Sequence, residues 1–201
     1  MKRYFLYSFG IMAALAAMVI ISVISSYNSL VNLDEGTLKS WGDVETAYQR
    51  RADLIPNLIN VVKGAANFEQ ETLTKVIEAR ANATAIKLKA ENFDADSFQK
   101  FEDAQMQLTS ALSKLLAVVE NYPELKATQN FRNLQEQLEG TENRIAYVRE
   151  QFNKFAQLYN VKLKRIPTLF WVKMFYSRFE PHPYFKSEEG AQNAPTVNFS
   201  N

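Results

Sequence analysis

Apolar positions change character once near the start of the chain. From Tyr4 to Ile24 they run without a charge, through Ile11, Leu15, Met18, Val19, Ile20 and Ile21. From Tyr27 they become periodic, at Tyr27, Leu30, Val31, Leu38, Trp41, Val44 and Tyr48, then at Ile55, Ile59 and Val62. A charge-free run of about 20 residues rises ~30 Å as a helix, the thickness of a hydrocarbon core, so a transmembrane anchor is expected over 1–26. The steps of three and four after it predict one face of a long helix reaching Gly64. Pro56 lies inside that stripe, and because it brings no amide hydrogen a kink or short break is expected there.

Beyond Gly64 the stripe thins to Phe68, Leu73, Val76, Ile77 and Ala83, a second helix running to about Ala90. Asn92 to Ser97 is a polar connector offering N-cap oxygens. Phe101, Ala104, Leu108, Leu112, Leu115 and Val119 then mark a third helix, and Asn121-Tyr122-Pro123 a turn whose proline suits a first helical position. From Glu124 to about Ile166 a fourth helix carries Phe131, Leu134, Leu138, Thr141, Ile145, Val148, Phe152, Phe155 and Tyr159. That sustained 3-4 step specifies side-by-side packing, with helices crossing at roughly 20°. The expected fold is all-α: an N-terminal transmembrane helix followed by a long up-down antiparallel bundle of about four helices, residues 27–167. An aromatic and basic segment, 168–185, and a polar tail, 186–201, complete the chain.

Composition narrows the chemistry. The 201 residues contain 6 Gly, 6 Pro, no Cys and one His, with a formal charge of +1. No disulfide, thiolate metal site or catalytic thiol is available, and no global positive field would draw nucleic acid. A cleaved signal peptide is the rival reading of the N-terminus, but its apolar region is roughly 7 to 15 residues long, and no convincing A-x-A site follows. Lys2 and Arg3 precede the span, while residues 25–44 hold Lys39 against Asp34, Glu35 and Asp43. The positive-inside rule then expects a single-pass protein of the bacterial inner (cytoplasmic) membrane, N-terminus cytoplasmic and bundle periplasmic or otherwise extracytoplasmic.

Several strings resemble the LemA family of bacterial membrane-associated proteins. They are Tyr27-Asn28-Ser29-Leu30-Val31, Trp41, Arg50-Arg51-Ala52-Asp53-Leu54-Ile55-Pro56-Asn57-Leu58, Glu78-Ala79-Arg80, Glu120-Asn121-Tyr122-Pro123-Glu124-Leu125-Lys126-Ala127 and Thr141-Glu142-Asn143-Arg144-Ile145-Ala146. The resemblance runs from about Tyr27 to Pro167, with a fainter echo in Tyr184-Phe185 and Pro195-Thr196-Val197-Asn198-Phe199. It implies one N-terminal span and a helical bundle, and it implies no particular activity.

Groups for catalysis are sparse. His182, in a Pro-His-Pro context, is the one histidine available to a Ser-His-Asp set, and a di-iron bundle needs two. No metal, cofactor or catalytic residue is assigned. Glu120, Glu139 and Glu142 with Arg144 and Arg149 read as solvated faces and ion pairs such as Glu150 with Lys154, or more sharply as a buried polar network. Arg50, Arg51 and Asp53 beside Pro56 are expected to orient the kink or to face a partner, since a guanidinium can satisfy carbonyls that a proline frees. Trp41, Tyr48 and Trp171 read as packing residues rather than a ligand box.

Helix lengths return the end of the fourth helix to membrane level. There residues 162–186 carry six basic residues against Glu180, a balance of +5, whereas 25–161 carry 15 basic and 19 acidic. Lys164, Arg165, Phe170, Trp171, Lys173, Phe175 and Arg178 are therefore expected to contact membrane or partner; the competing reading has the aromatics capping the bundle. The functional expectation is a non-catalytic scaffold or adaptor of the cell envelope. Its expected partners are the lipid bilayer, membrane or envelope proteins and a second copy of itself. The alternatives are an accessory subunit of an envelope enzyme such as a membrane protease, or a carboxylate-dependent hydrolase.

Overall fold

A computed structural model describes residues 2–64, 68–88 and 93–186. Among these residues the chain is helical and has no strand. Most of the expected polar tail and part of the polar connector lie outside the described residues.

Helix α1 spans Lys2–Lys63, 62 residues, so the apolar stretch and the first amphipathic stripe are one element. Its N-terminal part is apolar enough to cross a membrane, with a mean hydropathy of 2.3, and none of that stretch is buried against protein. The break expected at Pro56 does not form, since Pro56 lies inside the continuous helix. A proline at position 56 removes the donor that would bond the carbonyl of Ala52 four residues earlier. Arg80, from the neighbouring helix, donates its Nε to Ala52 O at 2.7 Å and fills that vacancy. A guanidinium does serve the proline, but it comes from the Glu78-Ala79-Arg80 string rather than from Arg50 or Arg51.

Helix α2 is Gln70–Ala85, shorter than expected because Ile86 turns to an extended backbone. It buries Thr72, Leu73, Val76, Ala79 and Ala83 and leaves Ile77 in solvent, one position off the stripe. Helix α3 is Ala95–Val119, started by Asp94, whose Oδ1 accepts from the amides of Asp96 and Ser97 at 2.9 Å each. The expected fourth helix is divided. A single turn, α4, Pro123–Lys126, is followed by α5, Gln129–Lys164, because Thr128 takes an extended backbone and accepts the Phe131 amide as a new N-cap. The last element, α6, covers Thr168–Phe175.

Three apolar clusters stack along α1. Farthest from the apolar stretch, Ile55, Leu58 and Val62 meet Leu73 and Val76 of α2, Leu108 and Leu115 of α3, and Phe131 and Leu138. In the middle, Trp41, Val44 and Tyr48 pack with Phe98, Phe101, Ile145, Val148, Phe152 and Phe185. Nearest the apolar stretch, Leu30 meets Tyr159, Leu163 and Phe179. Along α5 the buried series runs Val148, Phe152, Ala156, Tyr159, Leu163, so Phe155, expected in the core, is exposed. The step to Ala156 is what a helix of 3.6 residues per turn requires, because a strict heptad stripe drifts off the contact line.

If Arg80 replaces the lost amide, its value depends on Pro56. Arg80→Ala should cost about 1–2 kcal/mol in the native chain. The cost should fall to a few tenths when Pro56→Ala restores a backbone donor, a coupling that a double-mutant cycle followed by denaturation of the detergent-solubilised protein would measure.

Candidate functional site

The largest buried polar side chain on α1 is Arg51, at 1% exposure. Its Nη1 donates to Thr109 Oγ1 at 2.9 Å and to Glu142 Oε1 at 2.7 Å, and its Nη2 to Gln105 Oε1 at 2.6 Å. The Tyr48 ring lies 5.1 Å from the guanidinium carbon. One side chain therefore ties α1 to α3 and α5, and Gln105 extends the network to α2 by donating to Ala83 O at 3.3 Å. Glu142 is 44% exposed, so its charge stays hydrated while the fork itself is buried. This is a structural knot: the two terminal nitrogens of the planar guanidinium reach three separate side-chain acceptors, one on α5 and two on α3.

Arg50 and Asp53 share the string with Arg51 and not its environment. Both are exposed and border a groove between α1 and the ends of α2 and α3, lined also by Thr84, Lys87 and Phe101. Asp53 accepts from Gln49 Nε2 at 2.7 Å. Elsewhere the charges form ion pairs: Glu150 with Lys154 at 2.8 Å, and Arg149 with Glu102 at 3.6 Å. Burial pushes the Glu102 carboxyl up, and Arg149 opposes the shift. Trp41 sits inside an aromatic cluster, its ring 5.0 Å from Phe93, 5.1 Å from Phe101 and 5.6 Å from Phe152, consistent with packing.

The second constellation lies after α5. Asn160 donates Nδ2 to His182 O at 2.8 Å and accepts the His182 amide at 2.9 Å; Asn153 makes the same two bonds with Phe185, both at 2.9 Å. Seven residues of helix rise ~10.5 Å, and three extended residues span ~10 Å, so two asparagines a heptad apart match an extended segment of this register. Pro181 and Pro183 flank His182 and favour that extended backbone. The His182 Nε2 lies 2.7 Å from Asp34 Oδ1, and its ring lies 4.5 Å from that of Tyr159, whose phenol burial holds well above its ordinary range. Sequence reasoning missed this clasp, although the Asn153/Asn160 heptad pair and the Pro-His-Pro string are both visible in it.

Between α5 and the clasp the chain reverses at α6. Trp171 Nε1 donates to Ser22 Oγ at 3.2 Å, Tyr176 OH to Val23 O at 3.0 Å, and Arg178 Nη2 to Tyr27 OH at 2.5 Å. Phe179 is buried against Tyr27. Trp171 is half-buried, and its ring lies 6.2 Å from that of Phe175. Phe170 and Phe175 are largely exposed, as are Lys164, Arg165 and Lys173. The structure thus gathers Trp171 and Arg178 beside Ser22 to Tyr27, with Phe175 against Trp171, and keeps them far from Arg50, Arg51 and Asp53, which lie 28 residues or more further along α1 by Ser22's number.

The Arg51 knot predicts unequal effects from its two ends. Arg51→Ala should cost about 3–5 kcal/mol, because it strands buried acceptors and leaves a cavity. Glu142→Gln should cost under ~1 kcal/mol, because that partner is half-exposed. Thermal melts of the two variants side by side would check the ordering.

A protein-family model described as the LemA family matches residues 40–199. Among characterised relatives, Magnetosome protein MamQ 2 of Paramagnetospirillum magneticum is 25% identical over 208 aligned positions, covering 90% of this chain and 75% of the relative. Magnetosome protein MamQ of Magnetospirillum gryphiswaldense is 25% identical over 178 positions, covering 78% of this chain and 65% of the relative. Protein LemA of Metamycoplasma hominis is 27% identical over 120 positions, 60% of this chain and 51% of that protein. The matched region takes in the Arg51 knot, helices α2 to α6 and the asparagine clasp, and on that match the chain belongs to the LemA family.

Proposed function

We propose that this protein is a non-catalytic, membrane-anchored scaffold or adaptor of the bacterial envelope, an up-down antiparallel helical bundle that organises membrane or protein partners. The observation that carries the reading is the continuity of α1: the stretch apolar enough to span a bilayer and the spine of the bundle are one helix. No flexible linker decouples anchor from bundle, so the bundle is held at a fixed attitude to the bilayer, which suits presentation of a surface. The pairing of α1 with α5 supports the up-down arrangement, since Arg51 meets Glu142, Trp41 meets Phe152 and Leu30 meets Tyr159. The relatives' names, magnetosome protein and LemA, state no reaction. The basic N-terminus and the acidic residues Asp34, Glu35 and Asp43 after the span favour a cytoplasmic N-terminus and an extracytoplasmic bundle. Exposed Arg50 and Asp53, beside their groove, are the residues of this bundle proposed to meet a protein partner.

The chain contains no cysteine, so a single introduced thiol reports without background. Asn57→Cys, at an exposed position of α1, should react with a membrane-impermeant thiol reagent in intact spheroplasts. Labelling that requires lysis would overturn the outward orientation. Photocrosslinking from position 50 in native membranes should yield discrete protein adducts identifiable by mass spectrometry, and their absence would remove the adaptor role.

A further inference from the structure

We infer that α6 is a lipid-binding foot, in which Phe170, Met174 and Phe175 enter the headgroup layer of an anionic bilayer while Lys164, Arg165 and Lys173 meet its phosphates. The inference rests on the reading of α1 as a membrane anchor and adds a second, peripheral attachment to it.

Level comes first. Descending α5, Tyr159 and Leu163 pack at Leu30; then Trp171 of α6 bonds to Ser22 and Tyr176, just past it, to Val23; then the chain climbs again, with Phe179 at Tyr27, His182 at Asp34 and Phe185 at Trp41. Residues 166–175 are therefore the turning point of the C-terminal half. They lie where the apolar run from Tyr4 to Ile24 gives way to the polar residues Ser25, Ser26 and Asn28, the position of a bilayer interface.

Sidedness comes second. Trp171, Val172 and Tyr176 turn towards α1, whereas Ile166, Phe170, Met174 and Phe175 are 74%, 58%, 68% and 59% exposed. Four large apolar side chains within ten residues would be costly to hold in water, and the bilayer is the apolar phase that the neighbouring span already occupies.

Charge comes third. Lys164, Arg165 and Lys173 are exposed at both ends of this short helix, and Glu180 is the one acid in residues 162–186. Aromatic side chains at headgroup depth with cations beside them are the two attractions an interfacial element combines, and the second requires anionic lipid. The asparagine clasp, fastened beyond α6, keeps the foot at this level.

Spin labels on single cysteines in the full chain, reconstituted in phosphatidylglycerol or phosphatidylcholine vesicles, test this directly. Leu15→Cys marks the span, Ser110→Cys the water-exposed bundle, and Phe170→Cys and Met174→Cys the foot. In phosphatidylglycerol the oxygen-to-nickel-chelate accessibility ratio at 170 and 174 should exceed that at 110 several-fold. It should fall towards the value at 110 in phosphatidylcholine, or when Lys164, Arg165 and Lys173 are all replaced by Gln. Water-like values at 170 and 174 with a lipid-like value at 15 would overturn the foot and leave the anchor standing. Water-like values at 15 as well would remove both. Low accessibility to both probes at 170 would mean that protein covers α6, such as a second copy, and would equally overturn the lipid assignment. Equal insertion in both lipids would overturn the anionic preference.

Discussion

All three core clusters use α1, so the hydrogen-bond ladder of that helix is the constraint under which the rest is built. An internal proline in such a helix removes a donor and crowds the preceding turn, at a cost of roughly 3 kcal/mol or more. Here the Pro56 ring faces outward, and the carbonyl it orphans, on buried Ala52, is taken up by Arg80 of α2. The defect thereby becomes a tether between helices. One turn earlier Arg51 points inward from the same helix to reach α3 and α5. Two guanidiniums, one leaving α1 and one arriving, fix the register of the helices where their apolar surfaces alone would permit sliding.

The bundle is thick at one end and thin at the other, and the C-terminal segment answers the thinness. Helices α2 and α3, 16 and 25 residues long, cover the far part of the 62-residue α1. Towards its apolar N-terminal stretch α1 has, among the described residues, α5 as its one long companion, and two helices cannot enclose a core. Phe179 and Phe185, carried on the segment that follows α6, close the apolar seam there. The asparagine pair satisfies the backbone amides and carbonyls of His182 and Phe185 in that segment. His182 adds a side-chain bond to Asp34 of α1, so the segment touches both long helices.

The helical class, the apolar N-terminal stretch and most core positions were legible because helical periodicity is a local property. Leu108, Leu115, Leu138, Ile145 and Phe152 all fall where the stripes put them. What escaped was non-local or depended on small offsets. The continuity of α1 hinged on Arg80, 28 residues after Ala52, and no pattern near Pro56 announces it. Phe155 and Ala156 exchanged roles because helical drift accumulates over several turns. Arg50 and Arg51 are chemically identical and adjacent, yet one is solvated and the other buried, since adjacent helix positions are about 100° apart. The division of α4 from α5 turned on whether one threonine would cap, a choice that periodicity does not register.

An unbroken α1 also behaves as a lever. From Ile24 to Lys63 it rises ~58 Å, so a tilt of about 20°, common for a single span, would swing the far end sideways by roughly 20 Å. Small changes in bilayer thickness would then appear as large displacements of the bundle's outer tip, unless something near the fulcrum resists rotation. The turn at α6, fixed to Ser22 and Val23, lies close to that fulcrum and to one side of the helix, which is where a brace acts on the direction of tilt.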